Sequence, residues 1–159
     1  MEEKANLRIE RIFPDYFKRF KLPEGAHDES IEVYRACKSN NCDEISFMPS
    51  YEENGYKTVP LLEENDPSQY SLSTYENPKH VKRFTMIRPD YPEPCKVAIG
   101  HTNPIHGPIQ RTKERTGNKR NSHVDWWLYK DAKPYLEFKI IDDFAKYFED
   151  YRKEGEDKK

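Results

Sequence analysis

One carboxylate stands in the most apolar stretch of the chain. Asp125 lies between Val124 and Trp126, and strand alternation would place it on the same face as His123 and Trp127. A carboxylate framed by indole rings on a strand needs either a cationic partner or a chemical role. We therefore take Asp125 and His123 as candidate catalytic residues.

An arginine occupies the middle of a second apolar segment. Arg35 follows Tyr34 within residues 31–37, whose alternation of apolar and polar side chains predicts a half-buried strand. Because an isolated buried cation is costly, Arg35 must either pair with a carboxylate or bind an anionic ligand. An ion pair with Asp125 is one alternative, and an anion-binding arginine at a ligand cleft is the other.

Two serines alternate with Leu72 in a short segment rich in Tyr and Thr. Ser71 and Ser73 would point to the same side of a strand. On a core-facing side their hydroxyls need hydrogen-bond partners, whereas at a cleft they can orient a ligand. The pattern leaves both interpretations open.

A basic loop is predicted over about 101–122, and such long loops are often functional. Two histidines near a cation can cleave RNA, one as general base on the 2′-hydroxyl and one as general acid on the leaving oxygen. The spacing does not predict a metal site, because no adjacent carboxylate or cysteine completes a ligand set. The alternative is that these side chains are simply exposed. The candidates for contacts with nucleic acid or another acceptor are His101, His106, Arg111, Lys113, Arg115, Lys119 and Arg120, with His123 just beyond.

The net charge of -2 hides two opposed blocks. Residues 24–66 hold 11 acidic and three basic side chains, whereas residues 79–120 hold 10 basic and three acidic ones. The basic block is available to phosphate-bearing ligands, nucleic acid among them, unless it pairs with the acidic block.

Length and composition predict one domain over residues 1–159. An aromatic content of 13% argues against disorder, although charged residues reach 35%. No apolar run is long enough to span a membrane, and no apolar segment at the start predicts a secretory signal. We therefore expect a soluble, cytoplasmic protein. Its three cysteines predict neither a disulfide framework nor a zinc site.

The elements that would position these residues are short. Periodicity and punctuation predict an α+β domain with five to seven short, mainly antiparallel strands and flanking helices. Asn77 and Pro78 are a good N-cap and first helical residue. The predicted helices cover about 14–21, 78–86 and 142–153; the strands cover 31–37, 70–75, 95–100, 124–129 and 135–141, with an apolar piece at 45–48 and a charged tail at 154–159.

The order of these segments resembles the Arg–Ser–Glu layout of ADP-ribosyltransferases. That layout has an aromatic-Arg strand (Tyr34-Arg35), a Ser-x-Ser-Thr strand leading into a helix (residues 71–74), and a late strand with a carboxylate (Asp125). Residues 125–136 are similar to the closing hairpin of that fold. The resemblance spans about Ile31 to Ile141 and implies an ADP-ribosyltransferase-like fold.

This resemblance implies cleavage of the nicotinamide–ribose bond of NAD. Arg35 would bind an NAD phosphate or ribose with Tyr34 beside it, and Ser71 or Ser73 would support the nicotinamide ribose. Asp125 would stabilise the oxocarbenium-like ribose, and Trp127 would stack on a ring of NAD. The basic loop would contact the acceptor. Asp125 stands where the family usually has Glu, so a pocket that binds without cleaving is an alternative.

Two other functions fit the same residues. One is a small RNA-binding or RNA-cleaving protein that uses the histidines of the basic loop. The other is a non-enzymatic interaction module whose acidic and basic blocks meet a partner. By analogy, a small charge-polarised enzyme of this kind would suit a microbial toxin or defence protein.

Overall fold

The fold is built on one open, antiparallel sheet. The computed structural model describes residues 11–86, 91–92, 94–118 and 121–157, with the side chains of the last helix through residue 155. In these ranges six strands pair in the order β4-β5-β2-β1-β3-β6. The strands are β1 (Glu32–Cys37), β2 (Leu72–Tyr75), β3 (Lys96–His101), β4 (Ile109–Arg111), β5 (His123–Trp126) and β6 (Lys139–Ile140).

Four α-helices accompany the sheet in the described ranges, which confirms a small α+β domain. None of these helices is long and apolar enough to cross a membrane. The helix predicted after Asn77 is confirmed at its predicted bounds, because Pro78 suits the first turn and Val81 is buried against the sheet. The helices are α1 (Ser50–Glu53), α2 (Pro78–Met86), α3 (Thr112–Thr116) and α4 (Phe144–Asp157); 3₁₀ helices cover Asp15–Arg19, Pro67–Tyr70 and Pro134–Glu137.

The segment predicted as a basic loop contains regular structure. Its middle forms β4 and α3, because Ile109 is apolar enough to be fully buried opposite Trp126 in the sheet. Gly107 brings the backbone close to β5: its φ is +144°, and a Cβ there would lie 1.9 Å from the carbonyl oxygen of Trp127. The charged residues of this segment led us to predict a loop, although the segment contains a buried strand at the edge of the sheet.

Four further segments differ from their predictions. The apolar piece at 45–48 forms turns, and Phe47 packs edge-on against Phe138 instead of joining the sheet. Residues 135–141 begin as a 3₁₀ helix at Pro134, so that only two residues pair as β6. The first predicted helix is a 3₁₀ helix over Asp15–Arg19, and α4 continues through most of the predicted tail.

The two faces of the sheet carry different cores. Leu72, Val124 and Trp126 belong to the core on one face. Tyr34 and Val97 belong to the core on the other face, against residues of α2 and α4. The register places Ser73, Asp125 and Gln110 directly opposite one another across β2, β5 and β4, so the second face carries a polar row beside its apolar core.

An aromatic cluster fixes the segments that face this polar row. Tyr51 of α1 and Tyr70 have ring centroids 5.0 Å apart, and Phe20 stacks on Tyr70 at 4.5 Å. The amide of Ser50 also donates to the carbonyl of Ser71 at the start of β2 (3.0 Å). These contacts pack α1 and the segment around Phe20 against the residues that lead into β2.

Candidate functional site

Asp125 is the centre of a buried polar network at the β2–β5–β4 side of the sheet. Its side chain is fully buried. It accepts hydrogen bonds from Ser71 Oγ (2.6 Å), Thr112 Oγ1 (2.8 Å) and an Arg115 guanidinium nitrogen (2.8 Å). Since a fully buried carboxylate offers no surface to a ligand, Asp125 cannot touch the substrate directly.

Arg115, the cationic partner of Asp125, lies on the short helix α3. Gly117 ends α3 in the left-handed region (φ +78°), with its amide donating to the carbonyl of Lys113 at 2.8 Å. Arg115 also donates to Gln110 Oε1 (2.6 Å), and its guanidinium lies 5.9 Å from the centre of the Trp127 ring. Asp125 and Arg115 therefore form a pair with additional support on the cation.

Thr112 links this carboxylate to His123. Its Oγ1 lies 2.8 Å from Asp125 Oδ2 and 2.5 Å from His123 Nδ1. A hydroxyl has one proton, and an ionised carboxylate only accepts, so the threonine proton goes to Asp125. Thr112 Oγ1 must then accept from Nδ1–H, which leaves Nε2 of His123 as the unprotonated nitrogen. The chain of bonds thus selects a tautomer.

The electrostatics keep His123 neutral. Burial is the main cause that lowers the pKa of His123; the charge of Asp125 opposes it, and the charges of Arg115 and Arg35 add to it. The His123 side chain is 14% exposed, and Nε2 makes no hydrogen bond to the described residues. A neutral imidazole with an unprotonated Nε2 is able to accept a proton.

His123 lines a cleft of about 500 Å³. Ser73 and Thr112 line the same cleft from the sheet side, and Glu53 and Lys57 line it from α1 and the segment after it. Most residues that line the cleft are polar or charged, with groups of both signs, although Val59 and Leu62 add apolar surface. It therefore suits a ligand with hydroxyls and charge better than an apolar one.

Arg35 contacts two residues that line this cleft, Ser73 and Glu53. Its guanidinium donates to the carbonyls of Ser46 (2.8 Å) and Ser73 (3.0 Å) and lies 3.6 Å from Glu53 Oε2. The alternative ion pair of Arg35 with Asp125 is not formed, because each of the two has a nearer partner of opposite charge. Arg35 is 4% exposed, so it holds the Ser73 backbone and the Glu53 carboxylate in place.

The structure divides the predicted cofactor-binding residues into two groups. Ser73 lines the cleft, whereas Ser71 is fully buried and bound to Asp125. Tyr34 is buried in the core, where its hydroxyl bonds that of Tyr147 at 2.5 Å. Trp127 is fully buried and donates to the carbonyl of Pro67 at 3.0 Å, so it stacks on Arg115 and not on a ligand.

The three histidines of the basic segment do not come together. His101 is exposed at the end of β3, three strands from β5 and hence about 14 Å away at ~4.8 Å per strand. His106 is 4% exposed, lies edge-on to Trp126 and bonds Glu137 at 3.1 Å. His123 is thus the histidine of this set that lines the cleft.

The predicted cationic surface is partly neutralised within the fold. Arg111 bonds Glu76 (2.8 Å) and Glu29 (3.3 Å), in the same way that Arg115 is held by Asp125. Lys113 is exposed. Lys119 and Arg120 lie outside the described residues. Two of the predicted acceptor-binding arginines therefore stabilise the protein itself.

We expect His123 to titrate below its ordinary value of 6.5, since burial lowers its pKa. As the pH falls below 6.5, the unfolded chain gains a proton that the folded chain does not bind, so the free energy of unfolding decreases. Chemistry that uses Nε2 as a base should be constant above 6.5 and decline only at acid pH. An NMR titration of the imidazole ring measures this directly, and a midpoint above 6.5 would contradict it.

The described residues contain no group of three or more metal-ligating side chains. Comparison of the chain with protein-family models, with curated proteins and with solved structures finds no match. Its function must therefore be argued from the Asp125–Thr112–His123 network and the cleft that it faces.

The sequence patterns did not identify two residues of this site, Glu53 and Thr112. Glu53 lies in an acidic stretch that Asn54-Gly55 and Pro60 indicate to be a loop. No pattern in the residues around Thr112 indicates a functional role. Both could be recognised only through the contacts that the fold creates.

Proposed function

We propose that this protein is a NAD-cleaving enzyme, an ADP-ribosyltransferase or NAD glycohydrolase, in which His123 is the general base. The observation that carries the proposal is the hydrogen-bond chain from Asp125 through Thr112 to His123, which leaves Nε2 unprotonated on a residue that lines the cleft. Asp125 is a positioning residue, because it is fully buried.

The chemistry follows from the groups that line the cleft. The C1′–nitrogen bond of the nicotinamide ribose breaks, and its electron pair leaves with neutral nicotinamide. The carboxylate of Glu53 faces the cationic ribose that results, the role first expected of Asp125. A water or acceptor hydroxyl attacks C1′ as the bond to nicotinamide breaks, and His123 Nε2 takes its proton, so that release depends on this base.

The strand arrangement supports a relation to the Arg–Ser–Glu layout. Arg35 lies on β1, Ser73 on β2 and Asp125 on β5, and these strands are neighbours in the order β5-β2-β1. The adjacency of these three strands supports the proposed relation. It also predicts that Ser73, which lines the cleft, contacts the ribose.

Two substitutions of Thr112 test the proposed relay. Thr112→Val keeps the shape of the side chain but removes the hydroxyl, so we expect nicotinamide release from NAD to fall by about 10²-fold or more as Nδ1 loses its partner. Thr112→Ser restores the hydroxyl and should keep most of the rate. Chromatography of released nicotinamide measures both. Equal rates for the valine and serine variants would overturn the role of Thr112.

RNA cleavage by the same base is a second candidate function. It is favoured by a specific observation: Lys57, a cation, lines the same cleft as His123. In this case Nε2 would take the proton of a 2′-hydroxyl, which attacks the adjacent phosphorus and expels the 5′ oxygen. An oligoribonucleotide should then be cut while its 2′-deoxy counterpart is not, and NAD should remain intact.

A further inference from the structure

A second cleft, of about 670 Å³, lies beside α2. We propose that it is a phosphate-binding site, with Lys79 and Arg83 as the cations that hold the phosphate of a nucleotide or of a nucleic-acid strand. The inference holds whichever bond the His123 cleft breaks, because it concerns binding at different residues.

Among the described residues, no carboxylate balances the positive charge of this cleft. Lys79 and Arg83 are four residues apart on α2 and therefore share one side of the helix. Both are exposed. Within the described part of the chain neither forms an ion pair, and no carboxylate lines the cleft. Arg35, Arg111 and Arg115, by contrast, each have a carboxylate partner.

His80 adds a neutral hydrogen-bond donor to this site. Its Nδ1 lies 2.6 Å from Ser122 Oγ, and the same oxygen accepts from the Asn77 amide at 3.2 Å. In the tautomer in which Ser122 donates its hydroxyl proton to Nδ1, the ring proton lies on Nε2 and can be donated to a ligand. Burial, together with the charges of Arg83 and Lys79, lowers the pKa of His80 and keeps it neutral.

Aromatic rings line the floor of the same cleft. Tyr75 and Phe84 have centroids 6.2 Å apart and both line the cleft. Cations next to aromatic rings suit nucleotides, whose phosphates meet the charge while their bases contact the rings. The Tyr75 ring also lies 5.3 Å from that of His123, so a single extended ligand could reach both clefts.

Binding of two labelled probes tests the site. We expect a fluorescent single-stranded oligonucleotide, or fluorescent AMP, to bind the wild-type chain at least tenfold more tightly than the Lys79→Ala/Arg83→Ala variant. If the strand supplies the phosphates, it will bind far more tightly than AMP. The slope of log affinity against log salt concentration for the oligonucleotide will then be smaller in the variant by about 1.4, because each of the two lost phosphate contacts contributes ~0.7. If AMP binds as tightly as the strand, a free nucleotide is the ligand.

Lys82→Ala is the matched control. Lys82 is an exposed cation of the same helix, but it lies over the Phe148 ring at 4.6 Å, away from this cleft. Its loss should leave the affinity for both probes unchanged. Equal affinities for the wild type and the double variant, or an equal loss in Lys82→Ala, would overturn the site. Because binding is measured without any cleavage, a failure of the NAD proposal would not affect this result.

Discussion

Replacing His123 with glutamine is expected to lower the rate of nicotinamide release from NAD by about 10²–10⁴-fold, the usual contribution of a general base. Glutamine keeps a polar side chain of similar length, but it cannot accept a proton at neutral pH. Among the described residues the imidazole makes one hydrogen bond, to Thr112, so the fold should survive the change. Initial rates at saturating NAD measure the loss.

His101→Gln is the control for this effect. His101 is an exposed histidine on the same sheet but three strands away, so its replacement should leave the rate within about twofold. A His123→Gln protein that is folded and retains the wild-type rate would remove the general base from the mechanism. Equal loss of activity in both variants would show that the effect is not specific to His123 and would also contradict its role as the base.

The substitution Asp125→Asn should destabilise the protein by about 3 kcal/mol, as expected when one partner of a buried pair is lost. Asp125 accepts from Ser71, Thr112 and Arg115, and an amide can replace only part of this set. Arg115 would keep its charge without a counter-ion, although it is 22% exposed and water screens part of the cost. Urea denaturation gives the free energy of unfolding.

Asp150→Asn provides the comparison. Asp150 pairs with Lys146 at 3.0 Å on the exposed side of α4, where such a pair contributes about 0.3–0.5 kcal/mol. We expect the midpoint for Asp125→Asn to shift far more than that for Asp150→Asn. Similar shifts would mean that the Asp125 network contributes little to stability.

The sequence predicted the elements more accurately than the contacts between them. The helix at 78–86 follows from Asn77 and Pro78, and alternation in β5 put His123 and Asp125 on one face. These are local properties of the backbone, which depend on residues within a few positions. The prediction of a mainly antiparallel sheet is also confirmed.

The partners of the charged residues could not be predicted in the same way. Arg35 is paired with Glu53 and Asp125 with Arg115, and both partners lie in segments that look like solvated loops. Which carboxylate meets which cation depends on how distant segments pack, and alternation along one strand carries no information about that. For the same reason β4 could not be predicted, because Ile109 lies in a segment whose charged residues are typical of a loop.

The most direct test of the central proposal is a calorimetric titration of NAD into the protein, with released nicotinamide measured in the same sample. The proposal predicts saturable binding with release in the wild type, and binding without release in His123→Gln. Absence of binding at near-millimolar NAD would contradict the proposal that this cleft is built to hold and cleave NAD.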